Sequence, residues 1–181
     1  MKKINEIFYS IQGEGYHVGT PAVFVRFAGC NLRCSFCDTR HESYEHMFDE
    51  DIVKAVNKYP ARMVVLTGGE PSMQVRPELV RALQDAGKYV CIETNGTLPV
   101  PGEIDWITCS PKGNYKLRTH FDELKIVFTG DVDLSEYEKR QFKNMYLQPC
   151  SQINTQEVID YIKDKPCWKL SLQTQKLLRI E

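Results

Sequence analysis

Three cysteines, Cys30, Cys34 and Cys37, have three and then two residues between them in Cys-Asn-Leu-Arg-Cys-Ser-Phe-Cys. A loop that tight makes three thiolates converge on one point, one ligand short of a closed tetrahedral site. Two chemistries fit. One is an iron–sulfur cluster, which four cysteines normally hold, so that three leave one iron open to another ligand. The other is a zinc knuckle completed by His41 or a distant cysteine, although zinc motifs usually come as Cys-x2-Cys pairs. Spacing alone leaves both open.

Strands and helices must position this loop. Residues 4–11 read as an extended segment running into Gln12-Gly13-Glu14-Gly15, where glycines let the backbone turn sharply or approach a ligand closely. Residues 22–28 form a β-prone run that feeds Gly29 and the cysteine loop. Arg26 interrupts that run, either as an edge arginine with its stem on the surface or as a buried anion clamp. Ile52, Val53 and Val56, then Leu79, Val80 and Leu83, then Val158, Ile159 and Ile162 repeat one apolar stripe, predicting three short amphipathic helices. Pro77 suits a first helical turn, Gly87 a C-terminal stop, and Asn154 with Glu157 resembles a capping box. A fourth, more polar helix is predicted over residues 135–143.

Short apolar runs at 63–66, 89–92, 104–108, 124–128 and 145–147 suit buried strands. Strand and helix alternate at first, predicting parallel βα units. Residues 94–103 and 110–120 are too rich in proline and glycine for helices. A closed eight-stranded barrel takes roughly 250 residues, and this chain has 181. The expected α/β architecture is therefore a partial, open (β/α)6-type barrel in one domain spanning residues 1–181. It would have about six strands, three or four helices, and crossover helices shortened or missing.

Polar motifs follow the strands where a parallel barrel builds its site. Thr67-Gly68-Gly69-Glu70-Pro71, Glu93-Thr94-Asn95-Gly96, Cys109-Ser110-Pro111-Lys112 and Gln148-Pro149-Cys150 all fall at the same end, predicting a common site. Lysines and arginines (23) nearly balance acidic residues (24) without a basic run, which argues against a nucleic-acid partner. No segment approaches the roughly 18 apolar residues of a membrane span. Seven cysteines, an odd number, argue against a disulfide framework and for a reducing cytoplasm.

The cysteine loop, with an aromatic before its last cysteine, resembles the signature of radical S-adenosylmethionine (SAM) enzymes, and Gly68-Gly69-Glu70-Pro71 resembles their GGEP motif. The order of motifs from Gln12 through Cys37-Asp38-Thr39 to Leu172-Gln173-Thr174-Gln175-Lys176 is similar, over residues 6–178, to the 7-carboxy-7-deazaguanine synthase family of the queuosine precursor pathway. That family converts 6-carboxy-5,6,7,8-tetrahydropterin to 7-carboxy-7-deazaguanine with loss of ammonia, using SAM catalytically and requiring Mg2+. The resemblance implies a [4Fe-4S] cluster on Cys30, Cys34 and Cys37, whose fourth iron is chelated by SAM. It implies SAM contacts from Phe36, Cys37, Asp38, Gly69, Glu70, Ser110, Pro111, Lys112 and Gln148. The pterin would meet Ile11, Gln12, Gly13, Glu14, Arg26 and Thr67, and Thr39 would be the one protein ligand of Mg2+. A flavodoxin- or ferredoxin-type electron donor and a homodimer are implied as well. The C-terminal motif departs from the family: Gln175 stands where a substrate-facing histidine is usual, and Arg179 where glycine is common.

Two rivals follow from the same residues. A glycyl-radical activase would share the cysteines but lack the Gln12–Gly15 entry and the Leu-Gln-Thr ending. A non-catalytic zinc module would leave GGEP and Ser-Pro-Lys unexplained. Cys91, Cys109, Cys150 and Cys167 with Trp168 are expected to pack, and His17, His41, His46 and His120, which show no ligand spacing, to be solvated.

Overall fold

The computed structural model describes residues 1–39 and 42–180; His41 lies outside the described residues. Among the described residues nine strands form one sheet. They are β1 (Lys2–Ile11), β2 (Pro21–Phe27), β3 (Glu45–Met47), β4 (Met63–Gly68), β5 (Tyr89–Thr94), β6 (Trp106–Cys109), β7 (Glu123–Phe128), β8 (Met145–Pro149) and β9 (Lys169–Leu170). Their spatial order is β3-β1-β2-β4-β5-β6-β7-β8-β9, so the sheet curls without closing. From β2 onward every pairing is parallel, while β1 runs antiparallel to both neighbours. The expected six parallel strands are β2 and β4–β8. The very short β3 and β9 were not anticipated.

Five α-helices among the described residues accompany the sheet: α1 (Asp49–Val56), α2 (Pro77–Asp85), α3 (Ser135–Arg140), α4 (Thr155–Asp164) and α5 (Thr174–Leu178). Three of them match the predicted stripes. The fourth ends at Arg140 rather than 143, because Gln141 turns left-handed (φ 48°). Helix α5 is too short to leave a readable period. Its C-cap, Arg179, is left-handed (φ 57°), the conformation glycine adopts most easily. The capping box at α4 does not form. Instead, the Asn154 side chain accepts from the Cys150 amide at 2.8 Å and donates to the Phe128 carbonyl at 2.7 Å. The β5–β6 and β6–β7 connections carry no helix, as expected.

Side chains of a strand alternate between its two faces. Val23, Val25, Phe27, Val64, Leu66, Val90, Ile92 and Ile107 face outward onto Ile52 and Val56 of α1 and Leu79, Val80 and Leu83 of α2. A second outer core joins Leu124, Ile126 and Leu147 to Val158 of α4 and to Trp168. The opposite parity faces the barrel interior. Near the strand starts it is apolar, with Ala22, Met63, Val65 and Cys91. Toward the strand ends it is polar, with Arg26, Thr67, Glu93, Lys125 and Gln148. Arg26 is accordingly not an edge residue, because β2 is paired on both sides.

Burying Leu83 completely stabilises α2 on the sheet. Leu83→Ala should therefore cost about 2–5 kcal/mol, read as a lower urea midpoint with an unchanged slope.

Candidate functional site

Two glycines bring the cysteine loop and the GGEP loop together. Gly69 donates its amide to the Phe27 carbonyl at 2.9 Å, and Glu70 donates to the Gly29 carbonyl at 2.9 Å. A Cβ on Gly69 would lie 2.0 Å from the Gly29 oxygen, and one on Gly68 (φ 114°) 2.3 Å from the Phe27 oxygen. No larger residue leaves the two backbones in register.

Glu70 is fully buried and stands behind the cavity wall, as does Pro111. One carboxylate oxygen accepts from the Ser72 amide (3.0 Å), the Ser72 hydroxyl (2.6 Å) and the Thr94 hydroxyl (2.8 Å); the other accepts from the Asn95 amide (2.7 Å). Asn95 in turn donates to Asn31 in the cysteine loop at 3.0 Å. Glu70 thus fastens the ends of β4 and β5 and, through Asn95, the loop that carries Cys30.

The cysteine loop turns tightly, with the Cys37 amide donating to the Cys34 carbonyl at 3.2 Å. Cys30, Cys34 and Cys37 are free thiols on the wall of one cavity. Burial pushes the Cys30 and Cys34 thiols upward, and Lys112 partly offsets this at Cys34. Among the described residues no three His, Cys, Asp or Glu side chains converge tightly enough for a single metal ion. A cluster reaches each thiolate through a different iron, so it fits three uncommitted soft donors spread around one rim. The single-ion zinc reading lacks that geometry, and His41, its proposed fourth ligand, lies outside the described residues.

The cavity measures about 1090 Å³, the upper end for small-molecule sites and room for two ligands side by side. Phe36, Asp38, Thr39, Gly69, Ser110, Lys112 and Gln148 line it with the cysteines. So do Ile11, Gln12, Gly13, Glu14, Arg26, Thr67 and Gln175. Lys112 donates to the Ser110 hydroxyl at 2.7 Å, and burial together with the Lys125 charge lowers its pKa. Arg26 gives its Nε to Glu6 at 2.5 Å and lies over the Phe8 ring. Thr39 donates to Asp38 at 3.4 Å.

The cavity floor is ionic. Lys125 donates to Glu14 at 2.8 Å and to Glu93 at 2.7 Å, with its side chain only 4% exposed. Burial alone would raise the Glu14 carboxyl, but the Lys125 charge and the amides of Gln175 and Gln173 hold it well below the usual carboxylate range. Gln175 and Gln173 each donate to Glu14 at 3.0 Å. Gln173 also reaches Asp38 at 3.1 Å, and Lys176 pairs with Asp38 at 2.5 Å. The Thr174 amide donates to the Gly13 carbonyl at 3.0 Å. A Cβ on Gly13 would strike the Gln175 side chain at 1.8 Å, so this seam closes only over glycine.

Lys125 was not singled out from sequence, and Glu93, Gln173 and Lys176 stood inside motifs without an assigned role. For the first two a signal existed: they share strand parity with Arg26 and Thr67. Besides Glu70 and Pro111, which stand behind the wall rather than in it, three expectations are corrected, at His17, Cys167 and Cys150. His17 is half-buried among Tyr16, Tyr89 and Trp106 rather than solvated. Cys167 is exposed rather than packed, although Trp168 is buried. Cys91 and Cys109 are buried, as expected, whereas Cys150 lines the cavity.

The floor pairing predicts a stability change. A depressed carboxyl contributes stability above its unfolded pKa and loses it as the pH falls through the folded value. Lys125→Met should cost roughly 3–5 kcal/mol at neutral pH. The deficit should narrow in mild acid, where the unpaired Glu14 protonates. Urea melts at the two pH values check both parts, and a pH-independent deficit would count against the pairing.

Comparisons with known proteins agree on one relationship. The Radical SAM superfamily model matches residues 24–108. A 7-carboxy-7-deazaguanine synthase from Bacteroides thetaiotaomicron is 58% identical over 181 residues, covering 99% of each chain. One from Burkholderia multivorans is 43% identical, covering 98% of each. The crystal structure of QueE from Escherichia coli superposes with a TM-score of 0.79 at 28% identity, covering 94% of this chain and 93% of that one.

Proposed function

The chain belongs to the 7-carboxy-7-deazaguanine synthase family of radical SAM enzymes, and we propose that it converts 6-carboxy-5,6,7,8-tetrahydropterin to 7-carboxy-7-deazaguanine with loss of ammonia. The observation that carries this reading is a single cavity with three free thiols on its rim and a carboxylate-rich floor. The superfamily's [4Fe-4S] cluster, when reduced, supplies with SAM the one-electron chemistry that abstracts a hydrogen atom. The protein's own residues bind and orient.

In this reading Cys30, Cys34 and Cys37 hold the cluster. Phe36, Asp38, Gly69, Ser110, Lys112 and Gln148 surround SAM, with Glu70 and Pro111 shaping their loops from behind. Glu14, kept ionised by Lys125, accepts hydrogen bonds from the 2-amino and ring N–H donors of a pterin. Arg26 offers its guanidinium fork to the substrate carboxylate. The main chain at Ile11, Gln12 and Gly13, together with Thr67, completes the pterin contacts. Gln175 takes the family histidine's place on Glu14, keeping a donor there but adding no titrating group.

Mg2+ keeps few protein ligands and shares the remainder between substrate and water; Thr39 supplies the protein's one. We read residues 1–181 as one catalytic unit, acting as a homodimer in the cytoplasm and reduced by a flavodoxin- or ferredoxin-type donor. No helix among the described residues is long and apolar enough to cross a membrane.

An anaerobic assay of carboxytetrahydropterin conversion tests the reaction, and no deazaguanine product would refute it. Cys34→Ala should lose both iron and activity, whereas Cys91→Ala should keep both and lose only packing. Full iron occupancy in Cys34→Ala would remove the cluster from this loop. Thr39→Ala should weaken the Mg2+ dependence and leave SAM binding nearly unchanged; an unaltered Mg2+ titration would move the ion elsewhere.

A further inference from the structure

Behind the carboxylate floor lies a second, small cavity of about 10 Å³. One wall is formed by Gln12, Glu14 and Glu93, which also face the large cavity. The opposite wall is formed by His17, Trp106 and Glu123, at the end of the barrel where the strands begin. This space is about the size of one water molecule.

Two polar atoms in its walls lack partners. Glu123 is only 2% exposed. Its Oε2 accepts from the Tyr16 amide (3.2 Å), the Trp106 indole (3.3 Å) and the Thr108 hydroxyl (3.4 Å). Its Oε1 is buried without a hydrogen bond, and so is Nε2 of His17. A buried polar atom left unpaired costs about 1–3 kcal/mol, so two in one small space point to a shared partner. Room for Oε1 comes from Gly15, whose Cβ would lie 2.0 Å from that oxygen. The imidazole is held edge-on against Trp106, with centroids 4.7 Å apart.

We propose that one water molecule occupies this cavity between Oε1 of Glu123 and Nε2 of His17, and that the three form a proton port linking the carboxylate floor to solvent on the Tyr16 side. Burial raises the Glu123 carboxyl, with Lys125 partly opposing it and Glu93 reinforcing it, and burial lowers His17. Each shift favours the neutral form, a carboxyl that can give a proton and an imidazole whose lone pair can receive one. Each hop breaks one O–H or N–H bond as the next forms, so only protons move. Tyr16 is half exposed, which puts the outer end of the port at the surface. The use of the port rests on the proposed reaction, since ammonia leaving a buried site requires protons to be redistributed. The water site itself does not.

Infrared spectra of the cluster-loaded enzyme test the site without substrate. A protonated carboxyl band should be present at neutral pH, vanish in Glu123→Gln, and shift to higher frequency in His17→Phe, which keeps an aromatic ring against Trp106. A band that survives Glu123→Gln, or stays put in His17→Phe, overturns the site. In turnover, His17→Ala should lower kcat by on the order of a hundredfold with KM held, and added imidazole should restore it. An unchanged kcat, or a loss that imidazole leaves in place, overturns the port. A wild-type enzyme inactive on the pterin would instead refute the proposed reaction, leaving the infrared result to decide the site.

Discussion

A lysine ammonium buried between two carboxylates is the constraint on which the interior of this barrel depends. Charges inside a protein are tolerated only when paired, and removing one partner costs more than the pair itself contributes. Lys125 holds Glu14 and Glu93 across the floor and leaves the trio with one net negative charge. That residual charge faces the cavity and favours a ligand rich in N–H donors. The same ammonium reaches outward through its neighbours: it adds to the lowering of Lys112 by burial and partly offsets the burial of Glu123. One strand residue therefore acts on the electrostatics of both cavities.

The loops above the floor are held by a different device. Glu70 uses four donors to bind the ends of two strands together, and Gly68 and Gly69 let that assembly lie directly on the backbone before Cys30. Glu70 therefore reaches the cysteine loop through neighbouring backbone and amides, behind the cavity wall. A motif residue can determine a site's geometry from outside the site.

Much of this was legible in the sequence, because it rests on periodicity and on residue type. The cysteine spacing, the motifs at one end of four strands, and the stripes Ile52–Val56 and Leu79–Leu83 each carry their own physical signal. What was not legible depends on partners far along the chain. Lys125 in an apolar run looks like an isolated charge until Glu14 and Glu93 are brought beside it. Asn154 has a capping residue's chemistry, yet Cys150 and Phe128 claim its side chain. His17 has no ligand spacing, and only the fold puts Trp106 against it. Strands β3 and β9 and helix α5 are shorter than any readable period.

The seam between Gly13 and residues 173–176 bears on the order of synthesis. Asp38 gains Lys176 as a partner only 138 residues later, and Gly13 waits 161 residues for Thr174. During translation the cysteine loop and most of the strands emerge from the ribosome while this side of the cavity is still unwalled. The three thiols are thus open on this side for most of the time the chain is being made. Only the late arrival of Gln173 and its neighbours completes the wall around them.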